Sequence, residues 1–183
     1  MVEGIIGLPG SGKTYLLAKR GLEDMAKGKE VWANFHLEGA KYFSRLPELI
    51  SYIKQKLIKK ERIQMTILID EINLSFPSRM WAKVPGWVLY FWSQTRKFGL
   101  DIYYTSQSFK RVDTIIREIT NFLWLVRPLP FNFRLASQII PEEIDIQKKD
   151  VIDRKYFRLD KDVFSKYDTF EILELTEEFL QEK

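Results

Sequence analysis

Eight consecutive residues constrain this chain more than anything else in it. Gly7-Leu8-Pro9-Gly10-Ser11-Gly12-Lys13-Thr14 matches the Walker A pattern G-x-x-x-x-G-K-[ST] in full. Such a loop works only where it leaves a strand and opens a helix, and the flanks suit both. Val2 to Leu8 is an apolar run that reads as a buried strand. Thr14 to Lys27 reads as a helix, with Leu17, Ala18, Gly21, Leu22 and Met25 on one face and a stop at Gly28 between Lys27 and Lys29. The glycines let the backbone approach an anion, and its N–H groups, with the positive end of the helix, hold phosphates. Lys13 brings an ammonium to the β- and γ-phosphates and Thr14 a hydroxyl to Mg²⁺. The plain alternative is a glycine turn between a strand and a helix. The candidate nucleotide-binding residues are Gly7, Leu8, Pro9, Gly10, Ser11, Gly12, Lys13, Thr14 and Tyr15, with ATP and Mg²⁺ as the implied cofactors.

The rest of the chain alternates in the same manner. Glu30 to Leu37 reads as a second strand, and Leu46 to Leu57 as a helix with Leu49, Ile50, Ile53 and Leu57 on its apolar side. Met65 to Ile69 is a third strand, followed by an aromatic, proline-bearing stretch, Phe76 to Pro85, and a helix over Gly86 to Lys97. Leu100 to Thr105 is a fourth strand, Phe109 to Glu118 is helical, and Asn121 to Val126 is a fifth strand. Alternation of this kind predicts an α/β fold, a mostly parallel sheet with helices on both faces. It stops after Pro128 and Pro130. Phe131–Ile139, Lys155–Leu159 and Tyr167–Leu173 look like extra strands, so the expectation is one domain over 1–183, a core of about 1–127 with strand additions over about 128–183.

The third strand ends in two acids, Asp70 and Glu71. Asp70 is placed to hold magnesium through its water shell, and Glu71 is a candidate general base for an attacking water. Two acids at a strand end are otherwise only a solvated terminus. Gln107 ends the fourth strand, where ligands of a parallel sheet sit; it either contacts the γ-phosphate or attacking water, or helps Ser106 and Ser108 cap the next helix. Arg96 is either a cation that neutralises charge in phosphoryl transfer, lent by a neighbouring subunit, or a helix-terminal cation. No Asn-Lys-x-Asp guanine signature occurs.

Composition narrows the setting. The 183 residues are 45% hydrophobic and 30% charged, the profile of an ordinary globular chain. Cysteine is absent and His36 is the single histidine, which excludes disulfides and thiolate or multi-histidine metal sites. No segment approaches the roughly 18 apolar residues of a membrane span, and Met1-Val2-Glu3 runs into an apolar stretch without the basic region of a signal peptide, so the expectation is no leader and a cytoplasmic location. The net charge of +4 permits a polyanionic partner without demanding one. The basic tail Lys54–Arg62 is a solvated helix face or a phosphate-backbone track. Trp81, Trp87, Tyr90, Phe91 and Trp92 are core or subunit interface, or a stacking surface for bases.

Four parts together carry a family resemblance: the phosphate loop, the Ile69-Asp70-Glu71 strand end, Ser93-Gln94-Thr95-Arg96-Lys97-Phe98-Gly99, and Ile102-Tyr103-Tyr104-Thr105-Ser106-Gln107. The chain resembles the zonular occludens toxin-like (Zot) ATPases, a branch of the FtsK–HerA superfamily of DNA-pumping motors, from Gly4 to about Pro128, with an echo at Tyr167-Asp168-Thr169-Phe170-Glu171. The resemblance implies a RecA-like core with the Gln107 strand between the phosphate-loop and Asp70 strands. It implies a homo-oligomeric ring, usually a hexamer, with active sites at subunit interfaces, Arg96 as the arginine finger and Gln107 as the sensor. Filamentous-phage members carry a membrane span and a further domain, and these 183 residues lead to the expectation of neither. The expectation is therefore a soluble ATPase that packages or translocates double-stranded DNA. Arg79 and Lys83 after Glu71, and Lys110 and Arg111 after Gln107, are the candidate DNA contacts, because each pair follows a catalytic strand end. A small-molecule kinase and an assembly protein locked by ATP are the rival readings.

Overall fold

The structure, a computed structural model, describes residues 1–75, 90, 92, 94–95, 97–141 and 151–168. Phe76–Pro85, most of the helix expected over Gly86–Lys97, and the strand expected beyond Asp168 lie outside these residues, as do Arg79, Lys83 and Arg96.

Strand β1 (Val2–Ile6) leads through the glycine loop into helix α1 (Lys13–Ala26). The chain continues through β2 (Glu30–Ala33), β3 (Lys41–Tyr42), α2 (Leu46–Ile58), β4 (Met65–Ile69), the single turn α3 (Ile72–Ser75) and β5 (Leu100–Ser106). A 3₁₀ turn (Phe109–Arg111), α4 (Thr114–Ile119), β6 (Phe122–Pro128), β7 (Phe133–Ile139), β8 (Asp153–Arg158) and α5 (Lys161–Phe164) complete it. All eight described strands join one sheet in the order β3-β2-β4-β5-β1-β6-β7-β8. The first six are parallel to one another, whereas β7 and β8 run antiparallel. The Gln107 strand therefore does lie between the phosphate-loop strand and the Asp70 strand.

The alternation of side chains divides the core between two faces. Leu17 and Ala18 of α1 pack on one face with Ile5, Leu68, Tyr103, Trp124 and Val126. Leu49 and Ile53 of α2 and Ile116 of α4 pack on the other with Ile67, Ile69, Ile102 and Tyr104. Covered on both sides, β1 and β4 are buried along their whole length, which is why both are mostly apolar; their polar exceptions are bonded, Glu3 to the Trp124 indole N–H and Thr66 to Asp24.

Three expectations needed adjustment. The second strand ends at Ala33 rather than Leu37, because the Asn34 side chain turns to the backbone of Asp70. Phe35 and Leu37 stay buried off the sheet against Tyr167, with Leu37 in an isolated antiparallel bridge to it. The helix expected over Phe109–Glu118 is broken: Asp113 accepts the Ile115 N–H at 2.8 Å and starts α4 afresh. The two-residue edge strand β3 was not foreseen, since exposed Lys41 and Tyr42 carry no apolar pattern. In the basic tail, Lys54, Lys59 and Lys60 are solvent-exposed, and Lys56 is committed to Glu30 and Glu61. Of the aromatic cluster, Trp92 is buried in the core and Tyr90 is exposed. His36 is also exposed.

Candidate nucleotide site

The loop is built by exclusion of side chains. A Cβ on Gly7 would lie 2.5 Å from the Val126 carbonyl oxygen and 2.6 Å from the Ser11 hydroxyl, so only glycine fits there. Gly12 caps α1 from the left-handed region, φ 96°, and supplies no side-chain cap to the helix. The first turn of α1 thus keeps N–H groups that no intrahelical carbonyl can take. Ser11 is buried, and its hydroxyl has no hydrogen-bond partner among the described residues. Lys13 is buried too, with its Nζ donating to the Leu8 carbonyl at 3.2 Å. That bond closes the loop on itself and holds the ammonium at its mouth. Tyr15 differs in kind. Its ring is buried and stacked on Phe157, and its hydroxyl donates to the Arg158 carbonyl and accepts from the Asp160 N–H. Only the main chain of Tyr15 is left to face a nucleotide.

Asp70 and Glu71 stand beside this loop. The Thr14 hydroxyl lies 3.2 and 3.1 Å from the two Asp70 carboxylate oxygens. Thr105, on the neighbouring strand, donates to Asp70 Oδ1 and accepts the Glu71 N–H at 2.8 Å. Asn34, at the end of β2, holds the Asp70 main chain from the opposite flank. Burial pushes the Asp70 carboxyl above its ordinary range, against hydrogen bonds from Thr105 and Thr14, the Lys13 charge and the Glu71 N–H. Glu71 is pushed up as well, first by burial and then by the Asp70 charge, while Lys13, Gln107 and Arg111 oppose the rise. Two acids held up by desolvation next to a hydroxyl form a hard oxygen donor set that a small divalent cation would relieve. Among the described residues no group of three or more His, Cys, Asp or Glu could hold a metal by itself, so a magnesium here would take its remaining ligands from phosphate and water.

Glu71 has an unusual backbone, φ 47°, a region uncommon for residues other than glycine. Strain of this kind persists where surrounding contacts enforce it, and the Thr105 hydroxyl is such a contact. Gln107 is exposed at the end of β5 and bears on the Glu71 carboxylate, and Arg111 donates to Gln107 Oε1 at 3.1 Å. The capping alternative falls to Ser108, whose hydroxyl accepts the Lys110 N–H at 3.3 Å. Lys110 is exposed on the same 3₁₀ turn.

Thr14, Lys13, Asp70, Glu71 and Gln107 therefore converge, and Arg111 joins them through Gln107. Asn34 and Thr105 were missed as site residues. Both are polar residues at the carboxyl ends of parallel strands, the position where an open α/β sheet binds ligands, and the same signal that points to Gln107 points equally to them.

A strand, a glycine loop and a helix at one edge of the order β4-β5-β1, with an acidic strand end two strands away, define the fold of the P-loop nucleoside triphosphatases. The family model for zonular occludens toxin (Zot) matches residues 1–171, and the chain belongs to that family. Among solved structures, the N-terminal domain of zonular occludens toxin from Neisseria meningitidis is similar at 18% identity, covering 92% of this chain and 98% of that one with a TM-score of 0.65. The genome packaging NTPase B204 from Sulfolobus turreted icosahedral virus 2, solved with ATP-gammaS, is similar at 12% identity, covering 82% and 95% with a TM-score of 0.55. The flagellar accessory protein FlaH from Methanocaldococcus jannaschii is similar at 14% identity, covering 87% and 85% with a TM-score of 0.55. No curated protein matches the sequence. No helix among the described residues is long and apolar enough to cross a membrane.

Proposed function

We infer that this chain hydrolyses ATP to drive DNA translocation, as a motor of the viral genome-packaging or phage-assembly type. The observation that carries the hydrolytic part is the meeting of Thr14, Asp70 and Glu71 at the mouth of a complete phosphate loop. A protein that binds nucleotide and waits has little need of a second carboxylate. One that turns ATP over repeatedly needs a resident base.

Lys13 exchanges its contact with the Leu8 carbonyl for the β- and γ-phosphates, and the loop N–H groups take the remaining phosphate oxygens. Thr14 and Asp70 would hold Mg²⁺, which would supply positive charge to the phosphate oxygens. Glu71, raised in pKa by burial and by Asp70, accepts a proton from the attacking water. Gln107 touches Glu71 and reports the presence of the γ-phosphate along β5. Arg96 is the arginine finger, contributed across a subunit interface of a homo-oligomeric ring, a hexamer in this reading.

The DNA part is supported by family membership and by fold likeness to B204, which is a genome packaging NTPase. Sequence-independent grip on duplex needs cations on the backbone. Lys110 and Arg111, on the turn that follows β5, are the first candidate pair, because a turn directly after that strand could move when the phosphate leaves; Arg79 and Lys83 are the second.

The deciding experiment measures release of inorganic phosphate with and without double-stranded DNA, alongside the mass of the assembled species, with Lys13→Ala as control. Phosphate release that requires Lys13 and rises with duplex supports the motor. Transfer to an acceptor without phosphate release would replace it with a kinase. An assembled, hydrolysing ring that binds no DNA at low salt would remove translocation and leave the ATPase.

A further inference from the structure

The strand order fixes the direction in which a nucleotide lies along the loop. Glu71 follows β4 and Gln107 follows β5, both on one side of β1. The terminal phosphate points to that side, because the base and the sensor are there. The α-phosphate and the nucleoside must then extend toward the opposite side, over β6 and β7, where no site residue was expected.

Arg134 occupies that ground. It pairs in register with Pro128 on β6 and Phe157 on β8. Phe157 is the residue on which Tyr15 of α1 stacks, so this part of β7 lies beside the head of α1. A Cβ placed on Gly12 would be 3.4 Å from Arg134 Nε, 3.5 Å from its Cγ and 3.5 Å from Leu159 Cδ2. The arginine thus packs directly on the residue that caps the phosphate-loop helix.

Its bonding is incomplete. One Nη donates to the adjacent Phe133 carbonyl at 2.9 Å. Among the described residues, the buried Nε has no hydrogen-bond partner and Arg134 forms no ion pair. A guanidinium is seldom left that way, since an unmet buried donor gives up its hydrogen bond to water and gains none in return. Compare Lys29 and Lys56, each of which is matched to two carboxylates. Arg134 instead keeps an uncommitted charge at the rim of an anion site, on the side away from the catalytic acids.

We propose that Arg134 is a nucleotide-binding residue whose guanidinium pairs with the α-phosphate of the bound nucleoside di- or triphosphate. The two antiparallel strands are then part of the nucleotide site rather than an appendage to the core. The proposal rests on the phosphate-loop reading, and it differs from an arginine finger, which acts at the γ-phosphate. An α-phosphate contact is the same in ATP and ADP; a γ-phosphate contact exists in ATP alone.

The test titrates Mg·ATP and Mg·ADP into the full chain, the Arg134→Met variant and the Arg134→Lys variant, with melting temperatures taken for all three. Methionine keeps an unbranched stem over Gly12 and Leu159 and removes the charge. Arg134→Met is expected to weaken ATP and ADP by one common factor, about tenfold for one charge-assisted hydrogen-bonded contact. Arg134→Lys is expected to regain part of that loss, which a purely structural defect would not allow. Unchanged affinities, a loss confined to ATP, or an Arg134→Lys variant as weak as Arg134→Met would each overturn the proposal. If Arg134→Met melts well below the parent, the comparison of Arg134→Lys with the parent decides: equal losses for ATP and ADP support the contact, and any other pattern rejects it. A parent that binds neither nucleotide, or binds no better than Lys13→Ala, defeats the phosphate-loop reading itself, a result visible before any Arg134 variant is made.

Discussion

Asn34 grips Asp70 by both main-chain polar groups: Asn34 Nδ2 donates to the Asp70 carbonyl at 3.0 Å, and Asn34 Oδ1 accepts the Asp70 N–H at 2.7 Å. These two bonds replace the ladder that β2 gives up when it ends at Ala33, and they fix the direction in which the Asp70 and Glu71 side chains leave β4. Replacing Asn34 with Ala removes both bonds at a buried position. The expected result is a stability loss of about 1–3 kcal/mol, read by urea denaturation. Turnover should also fall more than nucleotide affinity, because the acids lose their alignment while the phosphate loop does not. Parental stability and parental turnover together would refute this role.

The two acids are expected to separate by function. Glu71→Gln keeps the size of the side chain but cannot accept a proton, so Mg·ATP binding persists and turnover is lost. Asp70→Asn weakens magnesium-dependent binding instead. Binding followed with and without magnesium, beside steady-state phosphate release, distinguishes the two. A Glu71→Gln variant that cycles near the parental rate would place the base elsewhere.

Arg96→Ala is expected to leave ATP affinity roughly intact and to cut kcat, by about 10³–10⁵ if it behaves as arginine fingers do. Mixing it with Glu71→Gln gives the sharper result. If the finger acts across subunits of a ring, mixed rings would contain interfaces with an intact base and an intact finger, and activity should return in part. No return, under conditions where subunits demonstrably exchange, argues against action across subunits.

Glu30 gives the fold a defined acid sensitivity. Burial alone would raise its carboxyl, but hydrogen bonds from Lys41, Tyr52, Lys56 and Trp32 outweigh burial and lower it from 4.5 to about 2. A carboxyl whose folded pKa is depressed stabilises the fold above its unfolded pKa, and that contribution drains away as pH falls toward the folded value. The window is therefore between about pH 4.5 and pH 2. Because Lys41 is largely exposed, the contribution is discounted to about 1–2 kcal/mol. Glu30→Gln should lose this at neutral pH and show a flatter decline across the same window, measured as melting temperature against pH. An unchanged slope would mean that the cluster holds no net stability.

Much of this architecture is legible in the residues themselves. Met65–Ile69 and the Ile102–Tyr104 centre of β5 are mostly apolar stretches of the kind a twice-covered parallel sheet demands, and the glycine loop between β1 and α1 has few other uses. The less legible parts share a cause. Asn34, Thr105 and Arg134 act through partners far away in sequence: Thr105 lies 35 residues from Asp70, and Arg134 reaches Gly12 only after the chain has crossed the sheet. Periodicity reports the face a side chain occupies, not the distant loop it meets. Tyr15 divides in the same way: adjacency to the motif offers its main chain to a nucleotide, whereas the role of its ring in the core against Phe157 depends on a partner distant in sequence that the motif does not reveal.

The two borders of the described sheet bear on how copies of the chain can join. One border, β3, is two residues long, and the other, β8, carries exposed Arg154, Lys155 and Arg158. A short border offers little ladder to extend, and a cationic one repels its own copy. Through these two described borders, copies of the chain are thus steered away from one continuous sheet and toward contacts between side-chain surfaces. Such joints can part and re-form without unpicking main-chain hydrogen bonds, which is the kind of seam a cyclic machine needs if its neighbours are to shift at every turnover.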